Sequence, residues 1–426
     1  MMMISISSRR MVRRMTRCKS TSSSSKLVRD HIKEVLYDEN DGYFMQDVIY
    51  SPTKEERSYV NFNELGGVAE YRLMLKEMYE KRGVAWMTPC EIFAPWYSYA
   101  IADYVLDERG DDSAPLNLVE FGGGNGTNMM HILDYIKLRN PELYERTNAI
   151  MVDISPAMSE RQRELIEPKH PNRIRYVRTD MTDHDMNPME EECFVMGLEV
   201  LDNLPHDKIK WCDETEQWME THVVRTQDDG LREEYRPLQD SLISETLKLF
   251  PPPSKEETIA SESMLSRFRN MFSSNTPSSK AAFIPTGAVR LIHSLKKTFP
   301  SHRLILADFD HLPSPDIRLF GGSRRSLRDG SLDAYNAPLV ASVDEKGKDL
   351  DYETYLLTRE IGTADIFFAT DFDALSEAYF QITGRPSRVF RSSEFLVDYA
   401  DVERTRVAGG YNPLLEDFSN TRFLLS

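Results

Sequence analysis

The sequence predicts an α/β protein: a Rossmann-type core, preceded by an N-terminal extension and interrupted by an inserted smaller α/β subdomain. Three observations carry that expectation. Between residues 113 and 210, short apolar runs that each end at or near an acid alternate with helical stripes. A glycine series follows the first of those runs. Beyond residue 210 the alternation weakens into period-two patterning and a Pro/Ser-rich stretch.

Residues 1–26 carry Arg9, Arg10, Arg13, Arg14, Arg17, Lys19 and Lys26 among Ser, Thr and Met, and the first acid is Asp30. This is the composition of an organellar transit peptide, and the density of Arg favours mitochondria, which predicts a matrix protein; a basic disordered arm is the alternative. Cleavage before Lys26 would remove six cations and take the formal net charge from −17 to −23. Residues 27–112 form the extension. Leu27 to Leu36 and Val68 to Tyr79 have helical spacing, Pro95 marks a helix from Trp96 to Leu106, and Asn40-Asp41-Gly42 is a turn followed by aromatics. The segment is expected to cover the mouth of the cofactor site as a lid or substrate wall.

Residues 113–210 form the cofactor half of the core. Leu118-Val119-Glu120-Phe121 reads as a buried strand that opens into Gly122, Gly124 and Gly126 and then into a helix. Asn148 to Asp153, Arg173 to Asp180 and Cys193 to Glu199 repeat the pattern, so each strand delivers an acid to the edge where doubly wound sheets bind ligands. Residues 211–300 are an insertion: Gln217 to Val224 alternates as an antiparallel strand, Gln239 to Phe250 is helical, and residues 251–280 read as a linker with an amphipathic piece around Met264 to Phe272. Residues 301–426 complete the core, with a strand at Arg303 to Phe309 by which the sheet closes after the insertion, and a late strand at Ala364 to Thr370 followed by a helix at Asp371 to Thr383.

An acidic chain of pI about 5.1 is not expected to bind nucleic acid, because phosphate neutralisation needs clustered Lys and Arg. No run approaches the ~18 apolar residues of a membrane span. Cys18, Cys90, Cys193 and Cys212 form no pair or cluster with zinc spacing, so no metal site is expected and the thiols read as reduced.

The glycine series narrows the cofactor. A dinucleotide fingerprint would need glycine at 127 or 129, where Thr127 and Met129 stand, and no Gly-Lys-Ser/Thr follows for a P-loop. Glu120 two residues before Gly-x-Gly-x-Gly, with Asp153 ending the next strand, resembles the S-adenosyl-L-methionine loop of Rossmann-type methyltransferases. Carboxylates suit that ligand, a sulfonium cation that also carries an ammonium group. The expected cofactor contacts are Glu120, Gly122, Gly124, Asn125, Gly126, Asp153 with Ile154, and Asp180 with Met181.

Glu120 to Thr127, Asp153-Ile154-Ser155-Pro156, Val35-Leu36-Tyr37 with Gly42-Tyr43-Phe44, Met87 to Ile92, and Glu199-x-x-Asp202-x-Leu204-Pro205 together resemble the MidA-type family, mitochondrial protein arginine methyltransferases that assist complex I assembly. The resemblance runs from about Leu27 to Lys208. It implies methyl transfer to an arginine of a protein substrate, an arginine-bearing complex I subunit; a homodimer stays open. Glu199 and Asp202, supported by Glu91, are the implied catalytic carboxylates, and Thr88 and Pro89 the implied substrate contacts. The bland alternative has Glu199 on the cofactor and Asp202 capping a helix. His206, beside Asp207 and Lys208, is expected to be a surface residue rather than a base. Gly123 stands where the family usually has Pro, a change expected only to add backbone freedom, and Leu198 where it usually has Asn. Two other functions stay open at this point: an assembly or binding protein with weakened catalysis, and a small-molecule methyltransferase.

Overall fold

The computed structural model describes residues 25–46, 59–82, 87–110, 113–226, 228, 230–252, 281–312, 334–343, 349–352, 354–357 and 361–426. The leader over residues 1–24, most of the 251–280 linker with its amphipathic piece, and Trp86 lie outside them. Ser25 and Lys26, assigned to the leader from composition, instead belong to Ser25–Leu27 (β1).

The extension continues as Val28–Tyr37 (α1), Val68–Arg82 (α2), Pro89–Ile92 (α3) and Trp96–Glu108 (α4). Next come Leu116–Phe121 (β2), Thr127–Arg139 (α5), Pro141–Glu145 (α6), Thr147–Asp153 (β3), Pro156–Ile166 (α7), Ile174–Arg178 (β4) and Cys193–Leu198 (β5). Asp207–Cys212 (β6), Gln217–Arg225 (β7), Leu231–Pro237 (β8), Ser241–Leu249 (α8) and Ala281–Ile284 (β9) follow, then Thr286–Thr298 (α9) and His302–Phe309 (β10). The chain ends through Leu339–Val343 (β11), Asp349–Asp351 (β12), Asp365–Phe367 (β13), Phe372–Thr383 (α10), Arg388–Arg391 (β14), Ser392–Tyr399 (α11), Pro413–Glu416 (α12) and Thr421–Leu425 (β15).

The main sheet has seven strands in the order β14-β15-β10-β5-β2-β3-β4. Strands β4, β3, β2, β5 and β10 are mutually parallel, and β15 runs antiparallel to both β10 and β14. Both faces are covered, which is why its strands read as continuous apolar runs. Leu118 and Phe194 point into one core cluster while Val119 and Val195 point into the other, the period-two alternation of a strand with a helical layer on each side. From β2 the chain winds one way through β3 and β4, then returns to β2's other side with β5. The crevice between β2 and β5, at the carboxyl ends of the strands, is therefore the expected ligand position.

The inserted unit is a five-stranded sheet, β1-β7-β6-β9 with β8 on β7. The late strand at Ala364 to Thr370 lies outside the main sheet. Its β13 portion belongs to a separate three-stranded sheet, β12-β11-β13, and the main sheet is closed by β14 and β15. Helix α1 packs between these smaller sheets, burying Val28, Ile32, Val35 and Leu36 against Val223, Phe283, Tyr355 and Ile366. Its first turn is fixed by charge: Arg29 donates from Nη1 to Asp207 at 2.7 Å and to Asp240 at 3.0 Å, and makes a second contact to Asp240 through Nη2 at 2.5 Å. Asp207 also accepts from Thr286 Oγ1 at 2.9 Å, and Lys208 is paired with Glu233 at 2.8 Å. Among the described residues no helix is long and apolar enough to cross a membrane, and no His/Cys/Asp/Glu group has the geometry to hold a metal.

Candidate active site

A cavity of about 1150 Å³, counted out to its open mouth, lies at the β2/β5 switch point. It is lined by the glycine loop (Gly122, Gly124), the β3 end (Asp153, Ile154), the segment after β4 (Asp180, Met181) and Glu199 after β5. The extension contributes Lys33 and Tyr37 of α1 together with Phe44. So α1 forms one wall of the cavity, whereas α3 and α4 pack into the sheet's core through Ile92, Tyr97 and Ile101.

The loop's glycines have distinct roles. Gly122 is at φ +63°, and a Cβ there would come within 2.5 Å of Val200; Gly124, at φ +50°, has nothing within 4 Å of that position, so its surroundings are open to a ligand. Gly123 does more than loosen the backbone. A Cβ on it would meet the Met151 terminal methyl at 2.6 Å and the Glu120 carboxyl carbon at 3.0 Å, so the glycine is what lets these two side chains lie under the loop.

Glu120 is buried below the loop rather than on the cavity surface. Asn128 donates to its Oε1 at 2.8 Å, while its buried Oε2 has no partner among the described residues. Burial raises this carboxyl to about 7. Asp153 accepts the Ser155 N–H at 2.9 Å on one oxygen and Gln162 Nε2 at 2.9 Å on the other; burial still lifts it to about 6. The same Gln162 nitrogen donates to the Gly124 carbonyl at 2.9 Å, tying the loop to the strand end. Sequence patterning gave no sign of Gln162, since a glutamine within a charged helix reads as solvent-facing. Asp180 behaves oppositely: Lys33 Nζ at 2.6 Å and Thr182 hold it ionised, below the usual carboxylate range despite its burial.

Glu199 adopts φ +53°, the left-handed region that non-glycine residues enter at a cost of about 1–3 kcal/mol. Its N–H donates to the Ala307 carbonyl at 2.8 Å, and Asp308 holds the residues that follow. Glu199 lines the cavity, and its carboxyl has no hydrogen-bond partner among the described residues; burial and the nearby Asp308 push it well above the usual range. Asp202 is not at the cavity surface and caps no helix. It is buried with Oδ1 unpartnered, and burial and the neighbouring Asp308 and Asp365 raise it. Asp308 accepts backbone N–H groups from Leu201 and Asp202, so the negative charge of this pair belongs on Asp308 and the proton on Asp202.

The remaining expected residues fall elsewhere. Glu91 is not in the cavity lining: its Oε1 accepts from Asn125 Nδ2 at 3.0 Å and from Thr127 Oγ1 at 2.7 Å, bracing the glycine loop from behind. Thr88 and Pro89 begin α3 beside it, and Gly126, at φ +87°, begins α5. Leu198 packs against the core beneath the site. His206 is no surface residue. It is 3% exposed and stacked on Phe368 at 3.7 Å, because Asp207 and Lys208 beside it are buried as ion pairs with distant partners.

The open cradle at Gly124 thus lies between acids at the strand ends, Asp153, Asp180 and Glu199, and a wall that carries Arg29, Lys33 and Arg290, with the Glu120 carboxyl buried beneath the loop. That fits a cationic nucleoside ligand such as S-adenosyl-L-methionine. Comparisons with known proteins agree. A family model described as "Putative S-adenosyl-L-methionine-dependent methyltransferase" matches residues 100–391. The protein arginine methyltransferase NDUFAF7 homolog, mitochondrial, of Schizosaccharomyces pombe is 24% identical over 265 residues, 58% of this chain, and the match spans about half (50%) of that relative's length. A Burkholderia thailandensis crystal structure holding S-adenosyl-homocysteine superposes over 94% of this chain and 87% of its own, at TM-score 0.56 and 16% identity. A second structure from the same organism and superfamily gives TM-score 0.54 at 15% identity over 94% of this chain and 87% of its own. At such identities these two likenesses speak to the fold.

Proposed function

Because the chain belongs to this family of S-adenosyl-L-methionine-dependent methyltransferases, we propose that it methylates an arginine of a protein, acting in the mitochondrial matrix on a complex I subunit in support of complex I assembly. The single observation that carries the arginine reading is Glu199: a carboxyl on the cavity wall, held in a strained backbone conformation and left without a hydrogen-bond partner among the described residues. The motif resemblance and the name of the fission-yeast relative support the same substrate.

When bound, S-adenosyl-L-methionine supplies an electrophilic methyl group on a sulfonium cation. Gly122, Gly124, Asp153, Ile154, Asp180 and Met181 would hold it, with Glu120, Asn125 and Gly126 shaping the loop and Glu91 bracing it. Glu199, which burial and Asp308 favour in the protonated form, would ionise as a guanidinium docks, because an opposite charge at contact distance favours the carboxylate. Ionised, it fixes the guanidinium and localises the charge, which a side chain protonated up to pKa above about 12 requires before one nitrogen can act as nucleophile. It would also accept the proton that this nitrogen loses. Asp202 acts at one remove through the Asp308-held loop; Thr88 and Pro89 also act at one remove, since they start the helix whose Glu91 braces the glycine loop. Most of the rate then comes from position.

Incubating the protein with methyl-labelled cofactor and mitochondrial extract tests this. Label in a protein band of complex I is the expected result; label confined to small metabolites would remove it.

A further inference from the structure

Across the loop that follows β5 lies a second cavity, about 1450 Å³ out to its open mouth, which shares no lining residue with the first. One loop and the start of one helix separate the two: Asn203, Leu204 and Gly287 line the cofactor cavity, whereas Leu201, His206 and Ala288 line the second. Aromatic rings from Phe250, Phe283 and Phe372 give it an apolar floor. Its charged groups are Asp310, Asp371 and Asp373 against one cation, Arg422, which is committed to Asp310 at 2.6 Å. Asp371 also caps α10, accepting the Ala374 N–H at 3.0 Å. The α10 N-terminus contributes roughly half a positive charge. Two aspartates in excess of that still leave a field that favours a cation.

His206 borders the same cavity. Its Nδ1 lies 2.8 Å from the Leu204 carbonyl oxygen, and since a carbonyl only accepts, Nδ1 carries the proton. Burial keeps the ring neutral, with its pKa held down at about 4. Nε2 therefore presents a lone pair, and it has no hydrogen-bond partner among the described residues although the side chain is 97% buried by its 3% exposure. Facing the cavity it lines, Nε2 is an acceptor that a ligand N–H can reach.

We propose that this second cavity binds a guanidinium or ammonium group on an apolar stem, with one N–H donated to His206 Nε2, the charge set among Asp310, Asp371 and Asp373, and the stem laid on Phe283 and Phe372. The occupant is a basic side chain of the protein substrate, flanking the residue to be methylated; that identification rests on the arginine reading, while the cavity chemistry does not.

Calorimetric titration of the full chain with N-acetyl-arginine-N-methylamide and with its neutral citrulline counterpart tests the proposal. Ala374→Trp fills the cavity, and His206→Phe keeps the stacked ring but removes Nε2. The arginine compound is expected to bind and the citrulline one not, with each substitution weakening the site at least about fivefold and leaving S-adenosyl-homocysteine affinity unchanged. Loss of all arginine binding in Ala374→Trp would uphold this cavity and remove arginine from the cofactor cavity. Binding untouched by both substitutions, equal binding of citrulline, or displacement of the arginine compound by inorganic phosphate would overturn the proposal.

Discussion

The Asp308 carboxylate accepts the backbone N–H of Leu201 at 2.7 Å, and the same oxygen accepts that of Asp202 at 3.1 Å. This fixes the turn that follows Glu199 and holds Glu199 itself at positive φ. Asp308→Ala would leave these N–H groups buried without an acceptor, at a cost of about 1–3 kcal/mol each. The expected outcome is a clearly lowered Tm together with a larger fall in methyl transfer than in S-adenosyl-homocysteine affinity. Equal losses in both would contradict a role confined to the loop.

Gln162 joins Asp153 to the Gly124 carbonyl through one nitrogen. Gln162→Leu keeps the packing volume and removes that link. Calorimetry should show S-adenosyl-homocysteine binding weakened about tenfold, the equivalent of roughly 1.4 kcal/mol, with little change in Tm. Unaltered affinity would mean the loop holds its shape without Gln162.

Arg29 ties α1 to both Asp207 and Asp240. Removing one partner of a buried ion pair typically costs about 3–5 kcal/mol, since the other charge is left uncompensated. Arg29→Met should therefore lower the denaturation midpoint strongly and loosen the α1 wall of the cofactor cavity. A midpoint within error of the native protein would show that α1 is held by its apolar face alone.

The buried carboxyls give a pH dependence of definite sign. Asp153 rises to about 6 and Glu120 to about 7, against about 4 in an unfolded chain. A carboxyl raised by folding contributes stability while protonated and loses it as pH rises through its folded value. The ligand-free protein should thus lose stability between about pH 4 and 7, while Asp180, which is lowered, matters only at more acid pH. A cationic ligand favours the ionised carboxyls, so affinity for S-adenosyl-L-methionine should climb from pH 5 to 8 more steeply than affinity for S-adenosyl-homocysteine, whose sulfur is neutral. Parallel pH profiles for the two ligands would remove the electrostatic account of the site.

The cofactor half was legible because its determinants are local. An apolar run, an acid and a glycine series adjoin one another in β2, and the same run-plus-acid recurs in β3 and β5. The closing strands were not. Arg388–Arg391 is four residues long with charged ends, and Thr421–Leu425 reads as an apolar tail until β10 pairs with it, so neither carries a strand signal of its own. His206 failed for a related reason: Asp207 and Lys208 look like a solvated surface unless Arg29, 178 positions from Asp207, is known to neutralise one of them. Long-range ion pairs leave no periodicity in a sequence.

The most direct test of the arginine assignment is amino-acid analysis of protein labelled from methyl-labelled S-adenosyl-L-methionine in mitochondrial extract, with Glu199→Gln run alongside. Label in methylarginine is predicted, falling at least about a hundredfold in Glu199→Gln, the scale of a lost transition-state contact, with S-adenosyl-homocysteine binding retained. Label in any other residue, or methylarginine formed equally well by Glu199→Gln, would contradict it.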